Sequence, residues 1–351
     1  MAVFTVPNVK VSGLACAAPT QRGDNQTDDV LPANERDLFI KTVGIRYRRM
    51  VPKGTTASDL CMAAAEKLLT ALQWNREDIK ALVFITQTPD YLIPNTSSLL
   101  QDKLGLPKTC LVFDVNLGCS GYVYGLSIIS SLLQNMPGGK ALLLVGDVST
   151  ATISMRDKST APIFSDAGSA TALEYSLNAE MHFNLQTDGR EYDDIIIPDG
   201  GFRNPYNEES ATLVEHGKGI VRSNLHMKLD GLRIFNFALR EVAPNINALL
   251  TALKKDKNDI DFFVFHQANL LMLESVRKKL QVEAEKVPYS LYDFGNTGSA
   301  TVPLTMVTKL QDRLSSGNAR LLLSGFGVGL SWGSVYIETS NIVCLPLVEL
   351  A

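Results

Sequence analysis

Cys119 stands in the run Asn116-Leu117-Gly118-Cys119-Ser120-Gly121-Tyr122, after an apolar stretch of strand length and directly before a helical one. A cysteine at a helix start meets N–H groups with no partner inside the helix, and their partial positive charge favours the thiolate. That predicts a nucleophile at neutral pH. Two other residues occupy the same kind of place. His266 follows the apolar run Phe262-Phe263-Val264-Phe265 and opens His266-Gln267-Ala268-Asn269 before a helix, while Asn296 lies in the small-residue loop Gly295-Asn296-Thr297-Gly298-Ser299-Ala300. Catalytic groups of α/β folds gather at strand ends, and a loop of small residues lets an amide approach a ligand closely. Cys119, His266 and Asn296 are therefore the candidate catalytic set. The run Gly325-Phe326-Gly327-Val328-Gly329-Leu330-Ser331-Trp332-Gly333 leaves one strand and enters another, which is wrong for a nucleotide-binding fingerprint. Backbone N–H groups for an oxyanion are its functional reading, and a plain glycine hairpin its bland one.

Apolar runs of strand length alternate with amphipathic helical stretches, which predicts an α/β architecture. After a first strand at Lys10–Ala15 come strand Ala81–Gln87, helix Ser97–Leu104, strand Cys110–Val115, the Cys119 turn, a helix from Gly121 to Leu133, and strands Ala141–Val145 and Ala170–Tyr175. The order then returns as strand Phe262–Phe265, helix Leu270–Leu280, strand Val287–Leu291, the Asn296 turn, helix Val302–Leu314, and strands Arg320–Leu323 and Ser331–Ile337. Gln87 to Cys119 is 32 residues and Gln267 to Thr297 is 30; Cys119 to Gly146 is 27 and Thr297 to Gly325 is 28. Matched intervals of this kind predict an internal duplication. The first half, 1–175, carries the nucleophile, and the second, 176–351, carries the His and the Asn. Residues 176–230, richer in Asp, Asn, Gly and charge, read as a connecting region that partly covers the site.

The 351 residues, 45% hydrophobic, suffice for one large or two medium domains with substantial cores. Basic and acidic residues number 33 and 37, so neither nucleic acid nor an anionic membrane is expected as the main partner. No apolar stretch reaches the roughly 18 residues of a spanning helix. Pro7, Asn8 and Lys10 interrupt what would be the apolar part of a secretion signal before Leu14–Ala18. The five cysteines, at 16, 61, 110, 119 and 344, form no C-x-x-C pair and no zinc spacing. A reduced, cytoplasmic protein without metal or bound cofactor is the expectation. His182, His216 and His226 have no acidic or cysteine companion at useful spacing and read as surface or structural residues.

Gly44-Ile45-Arg46, the Gly118–Tyr122 turn, Phe164-Ser165-Asp166-Ala167-Gly168, His266–Asn269, Gly295–Pro303 and Gly325–Ser334, in this order, resemble the β-ketoacyl-acyl carrier protein synthase III family of thiolase-fold condensing enzymes. The likeness covers nearly the whole chain. It implies two pseudo-duplicated halves in a layered αβαβα arrangement, and a homodimer. It also implies a decarboxylative condensation: Cys119 takes an acyl primer, and a malonyl-acyl carrier protein thioester loses carbon dioxide and attacks it. His266 and Asn296 would hydrogen-bond the malonyl thioester carbonyl, the N–H groups of Cys119 and Gly329 the other oxyanion, and Asn269 would support the loop. Lys278 and Lys279 match a basic pair used near carrier-protein docking, although Leu271 replaces a common Arg. Ile93, before Pro94, replaces a Phe that limits the acyl pocket across the dimer, which would admit a longer or branched primer. Leu38, Thr42 and Lys158 stand where the family carries its coenzyme A clamp, which favours an acyl carrier protein donor over acyl-coenzyme A. The alternative is a thiolase-fold acyltransferase that passes the acyl group to an alcohol or amine.

Overall fold

The apolar runs become strands buried on both faces, and their two faces feed different layers. The computed structural model describes residues 2–351. In chain order, strand β1 (Ala2–Pro19) is followed by helices α1 (Ala33–Val43) and α2 (Ala57–Leu72), strand β2 (Ile79–Ile85), helix α3 (Thr96–Lys103), strand β3 (Leu111–Val115), helix α4 (Gly121–Leu133), and strands β4 (Lys140–Val148) and β5 (Asp166–Thr187). Then come α5 (Gly231–Leu253), β6 (Phe262–Phe265), α6 (Leu270–Leu280), the short α7 (Leu291–Phe294), α8 (Thr301–Ser316), β7 (Asn318–Gly327) and β8 (Ser331–Ser340).

Side chains of a strand alternate between its faces. Leu82 and Phe84 of β2 pack outward with Leu60 and Leu68 of α2 and Leu100 of α3. Val83 and Ile85 turn inward, toward Leu126 and Ile129 of α4 and Val302 and Met306 of α8. In the second half Phe263 and Phe265 of β6 pack outward against Ile246 of α5 and Leu273 of α6, while Val264 joins the inner core. The layers are thus α2/α3, sheet, α4/α8, sheet, α5/α6. α4 is apolar nearly all round because it lies between the two sheets.

The strand pairing repeats. β2 runs parallel to β3 and β4, β4 pairs antiparallel with the first stretch of β5, and that stretch pairs with β1. Correspondingly, β6 runs parallel to β7, β7 pairs antiparallel with β8, and β8 pairs with the second stretch of β5, Met181–Thr187. The duplication expected from the spacings is present in the fold. The boundary expected at 175 falls inside the long strand β5, where pairing with β1 stops at Tyr175 and resumes at Glu180 after a register shift; the stretch before it serves the first sheet and the stretch after it the second. Only the chain after Thr187 leaves the sheet; it forms the short pair Ile195–Ile196 with Lys228–Leu229 and a small hairpin at Val214–Arg222.

One expected strand is absent. Val287–Leu291 joins no sheet; Pro288 has no N–H to donate, and the Ser290 N–H is taken by Gln267 Oε1 at 3.0 Å. Among the described residues, no helix is long and apolar enough to cross a membrane.

Candidate active site

The ends of β3 and β6 and the loop after α7 meet in one cavity of about 460 Å³, lined by Cys119, His266 and Asn296 together. β3 delivers Cys119 to the start of α4, where the Gly121 N–H bonds the Gly118 carbonyl at 2.7 Å and closes the turn. The strand β7 then lays its C-terminal glycines across the nucleophile. Gly327 has φ +153°, and a Cβ placed there would lie 2.6 Å from Cys119 Cβ and 2.8 Å from Sγ. Only glycine fits that approach. The Val328 backbone, next along, lies close enough to favour the Cys119 thiolate. Beyond it, the Ser331 hydroxyl donates to the Val328 carbonyl at 2.9 Å and receives the Ser120 hydroxyl at 2.7 Å, tying the two loops together.

Gly329, expected to supply a backbone donor, lies one residue too far. It is not part of the cavity wall, whereas Gly327 and Val328 are. Leu330 next to it exchanges backbone bonds with Asp188, just past β5, at 3.1 and 2.9 Å. The expectation of a ready thiolate also changes. Burial pushes the Cys119 thiol up to about 11, the Val328 backbone opposes this, and the charge of Asp147 adds to the rise. Desolvation of the sulfur thus outweighs the influence of that backbone.

His266 follows β6 and is 2% exposed. Its backbone N–H bonds the Ser324 carbonyl at 2.7 Å, its ring stands edge-on to Phe326 at 5.6 Å between centroids, and Nδ1 lies 2.7 Å from Thr301 Oγ1. Burial lowers the imidazole from 6.5 to about 3, so the ring is neutral at pH 7. The Asn296 loop is pinned twice. Its backbone bridges Ile163 and Ser165, at 2.9 and 2.8 Å. Asn296 Oδ1 accepts the Gly298 N–H at 3.0 Å, which leaves the NH₂ group of the amide as the donor toward the cavity.

Asp147, at the end of β4, holds this loop against the first half. One carboxylate oxygen accepts the Ser299 N–H at 2.8 Å and hydroxyl at 2.6 Å; the other accepts the Gln87 N–H at 2.7 Å. Burial raises its pKa against these bonds. It was not singled out in the sequence, although a carboxylate closing the apolar run Ala141–Gly146 is the signal that could have found it. Thr301 and Phe326 were missed as well.

Asn269 lies on the cavity wall and caps α6, accepting the Met272 N–H at 2.9 Å. Ile195, Ile196, Ile197, Met227 and Leu229, from the segment after β5, form an apolar part of the wall. Lys278 and Lys279 are exposed on the last turn of α6, and Lys279 reaches the Leu239 carbonyl at 2.7 Å. Ile93 is 85% exposed and does not line the cavity of its own chain. Leu38 is exposed on α1, and Lys158 is paired with Glu35 of the same helix at 3.2 Å. Among the described residues, no three His, Cys, Asp or Glu side chains come together as a metal site.

A family model described as 3-oxoacyl-[acyl-carrier-protein (ACP)] synthase III matches residues 113–189, and one for the C-terminal part of such enzymes matches residues 250–339. The first span includes Cys119 and the second His266 and Asn296. The β-ketoacyl-[acyl-carrier-protein] synthase III of Streptococcus agalactiae serotype III is 30% identical over 334 residues, 94% of this chain and 98% of that one. The crystal structure of a 3-oxoacyl-(acyl-carrier protein) synthase from Burkholderia xenovorans LB400 matches with a TM-score of 0.93 and 37% identity over 99% of both chains. OleA from Xanthomonas campestris, 20% identical over 96% of this chain and 98% of that one, shares the fold with a TM-score of 0.79.

Proposed function

Because this chain belongs to the 3-oxoacyl-(acyl-carrier-protein) synthase III family, we propose that Cys119 holds its acyl primer and that His266 and Asn296 stabilise the malonyl-derived enolate. The enzyme is a condensing transferase, and its reaction is the decarboxylative Claisen condensation of an acyl primer thioester with a malonyl-acyl carrier protein thioester.

In the first half-reaction Cys119 Sγ bonds to the primer carbonyl carbon, the primer's own C–S bond breaks, and the thiol proton leaves on the departing thiol. The thiol is protonated at rest, so proton and acyl group move in one encounter. In the second, the malonyl C–C bond to the carboxylate breaks, carbon dioxide leaves, and the electron pair becomes an enolate. That enolate attacks the Cys119 thioester, its C–S bond breaks, the product β-ketoacyl thioester departs, and the Cys119 thiolate released takes a proton from solvent. Charge on the enolate oxygen is met by the Asn296 NH₂ group and the His266 imidazole, and charge on the attacked carbonyl by the N–H groups of Cys119 and Val328. A neutral imidazole can donate there without adding a buried charge.

The observation that carries this reading is the single cavity shared by Cys119, His266 and Asn296, with the Asn296 oxygen already engaged by Gly298. The primer donor is an acyl carrier protein, with acyl-coenzyme A the poorer substrate. Lys158 is occupied by Glu35, and Leu38 offers no aromatic face for an adenine. The working form is a homodimer in which Ile93 bounds the partner's acyl pocket. The deciding assay follows carbon dioxide release from malonyl-acyl carrier protein in the presence of primer. The wild type is expected to release it in step with β-ketoacyl product, and Cys119→Ser to form no product. Product formed without malonyl consumption would favour acyl transfer to an alcohol or amine instead.

A further inference from the structure

The Thr301 hydroxyl is the one side chain bonded to the His266 ring, and it has a single proton with two acceptors in reach. His266 Nδ1 lies 2.7 Å from Thr301 Oγ1, and the Gly298 carbonyl lies 3.1 Å from it on the other side. The two arrangements have different chemistry. If the hydroxyl donates to Gly298, Nδ1 must carry the ring proton, and the opposite nitrogen, Nε2, is a bare lone pair. If it donates to Nδ1, the ring proton is on Nε2, which then becomes a donor.

A developing enolate oxygen needs the donor form. We infer that Thr301 is the positioning residue that selects the Nε2–H tautomer of His266 and so makes it competent for malonyl decarboxylation; this rests on the His266 role proposed above. The shorter of the two contacts is the one to the ring. The Gly298 carbonyl, which also acts on the imidazole directly, is the competitor for the ring proton, whereas Phe326 presents only a carbon edge. Thr301 is buried in the first turn of α8, held by its own backbone, so its hydroxyl cannot drift from the ring. Gly298 thereby organises both donors: its N–H fixes the Asn296 amide at 3.0 Å, and its carbonyl sets the alternative against which Thr301 works. Thr301 touches no substrate atom in this scheme.

The test uses Thr301→Val, which keeps the shape and removes the hydroxyl, and Thr301→Ser, which restores it. Acylation of Cys119 by primer, followed by mass spectrometry, is expected to proceed in all three proteins and shows that each is folded. Carbon dioxide release from malonyl-acyl carrier protein by the pre-acylated enzyme is expected to fall about 10²-fold in Thr301→Val, the scale of one positioned donor, and to recover in Thr301→Ser. Nitrogen-15 shifts of His266 report the tautomer directly: Nε2–H in the wild type and Thr301→Ser, Nδ1–H in Thr301→Val. Wild-type release together with an unchanged tautomer in Thr301→Val overturns the inference while leaving His266 in its role. Undiminished release by His266→Ala overturns the role itself, and the inference with it.

Discussion

Gly327 lies so close to Cys119 that a methyl group on it would occupy space within 2.8 Å of the sulfur. The nucleophile is therefore placed as much by the glycine strand of the second half as by its own helix. Gly327→Ala is expected to push Sγ aside and slow primer acylation about 10²-fold, the usual effect of an ångström-scale misplacement. Timed mass spectrometry of acyl-Cys119 measures this. An unaltered rate would mean that β7 yields freely and does not position the sulfur.

The thiol at about 11 predicts how free enzyme meets an alkylating agent. Below its pKa the thiolate fraction grows tenfold with each pH unit, so iodoacetamide should modify Cys119 at a rate that climbs steadily from pH 7 to 9. A plateau already near pH 7 would reinstate the helix N-terminus as the dominant influence on the sulfur.

His266 should leave a signature in acid stability. Its imidazole falls from 6.5 to about 3 in the folded chain, so between those values the unfolded chain binds a proton that the folded chain refuses. Its contribution is complete above pH 6.5 and is lost as pH falls toward 3. From pH 7 to pH 5 the loss is about 2 kcal/mol. Urea melts at both values should show His266→Asn losing less stability on acidification than the wild type by that amount. Identical losses in the two proteins would argue that water reaches the ring.

Asp147 bridges the halves through Ser299 and Gln87. Asp147→Asn turns an NH₂ group toward one of those donors and should cost about 1–3 kcal/mol per buried bond left unmade. Thermal melting measures the cost, and carbon dioxide release should fall with it because the Asn296 loop is released.

Charge reversal at Lys278 and Lys279 together should raise KM for the malonyl-acyl carrier protein and leave kcat in place. Both face solvent at the far end of the helix whose first turn lines the cavity, about 15 Å along its axis. Steady-state kinetics at low salt make the comparison, and an unchanged KM would move the docking surface elsewhere.

Much of this was legible in one dimension, for local reasons. The helices Gly121–Leu133 and Leu270–Leu280 and the strand Phe262–Phe265 have the predicted bounds because glycine, Asn269 and His266 punctuate strong apolar patterns. The repeat of spacings singled out Cys119, His266 and Asn296 together, and the fold gathers them in one cavity, Asn296 from a loop after a short helix rather than from a strand end. What escaped depended on contacts between distant segments. Val328 displaces Gly329 because the turn of a hairpin is set by what lies against it, here Cys119 and Asp188. Val287–Leu291 has a strand's composition, but Pro288 and Gln267 direct its backbone elsewhere. Asp147 and Thr301 matter through partners 152 and 35 residues away, distances no local pattern encodes.

The strand Asp166–Thr187 is the seam of the molecule. Its opening residues complete one sheet and its closing residues complete the other, with β1 alongside both. One continuous strand closes the first sheet and opens the second, and a cut at residue 175 would part Val3–Pro7 from Glu180–Asn184, leaving each half an edge of unpaired amides and carbonyls. The halves are thus stitched by backbone pairing as well as by the site they share, and neither has a finished sheet without the other.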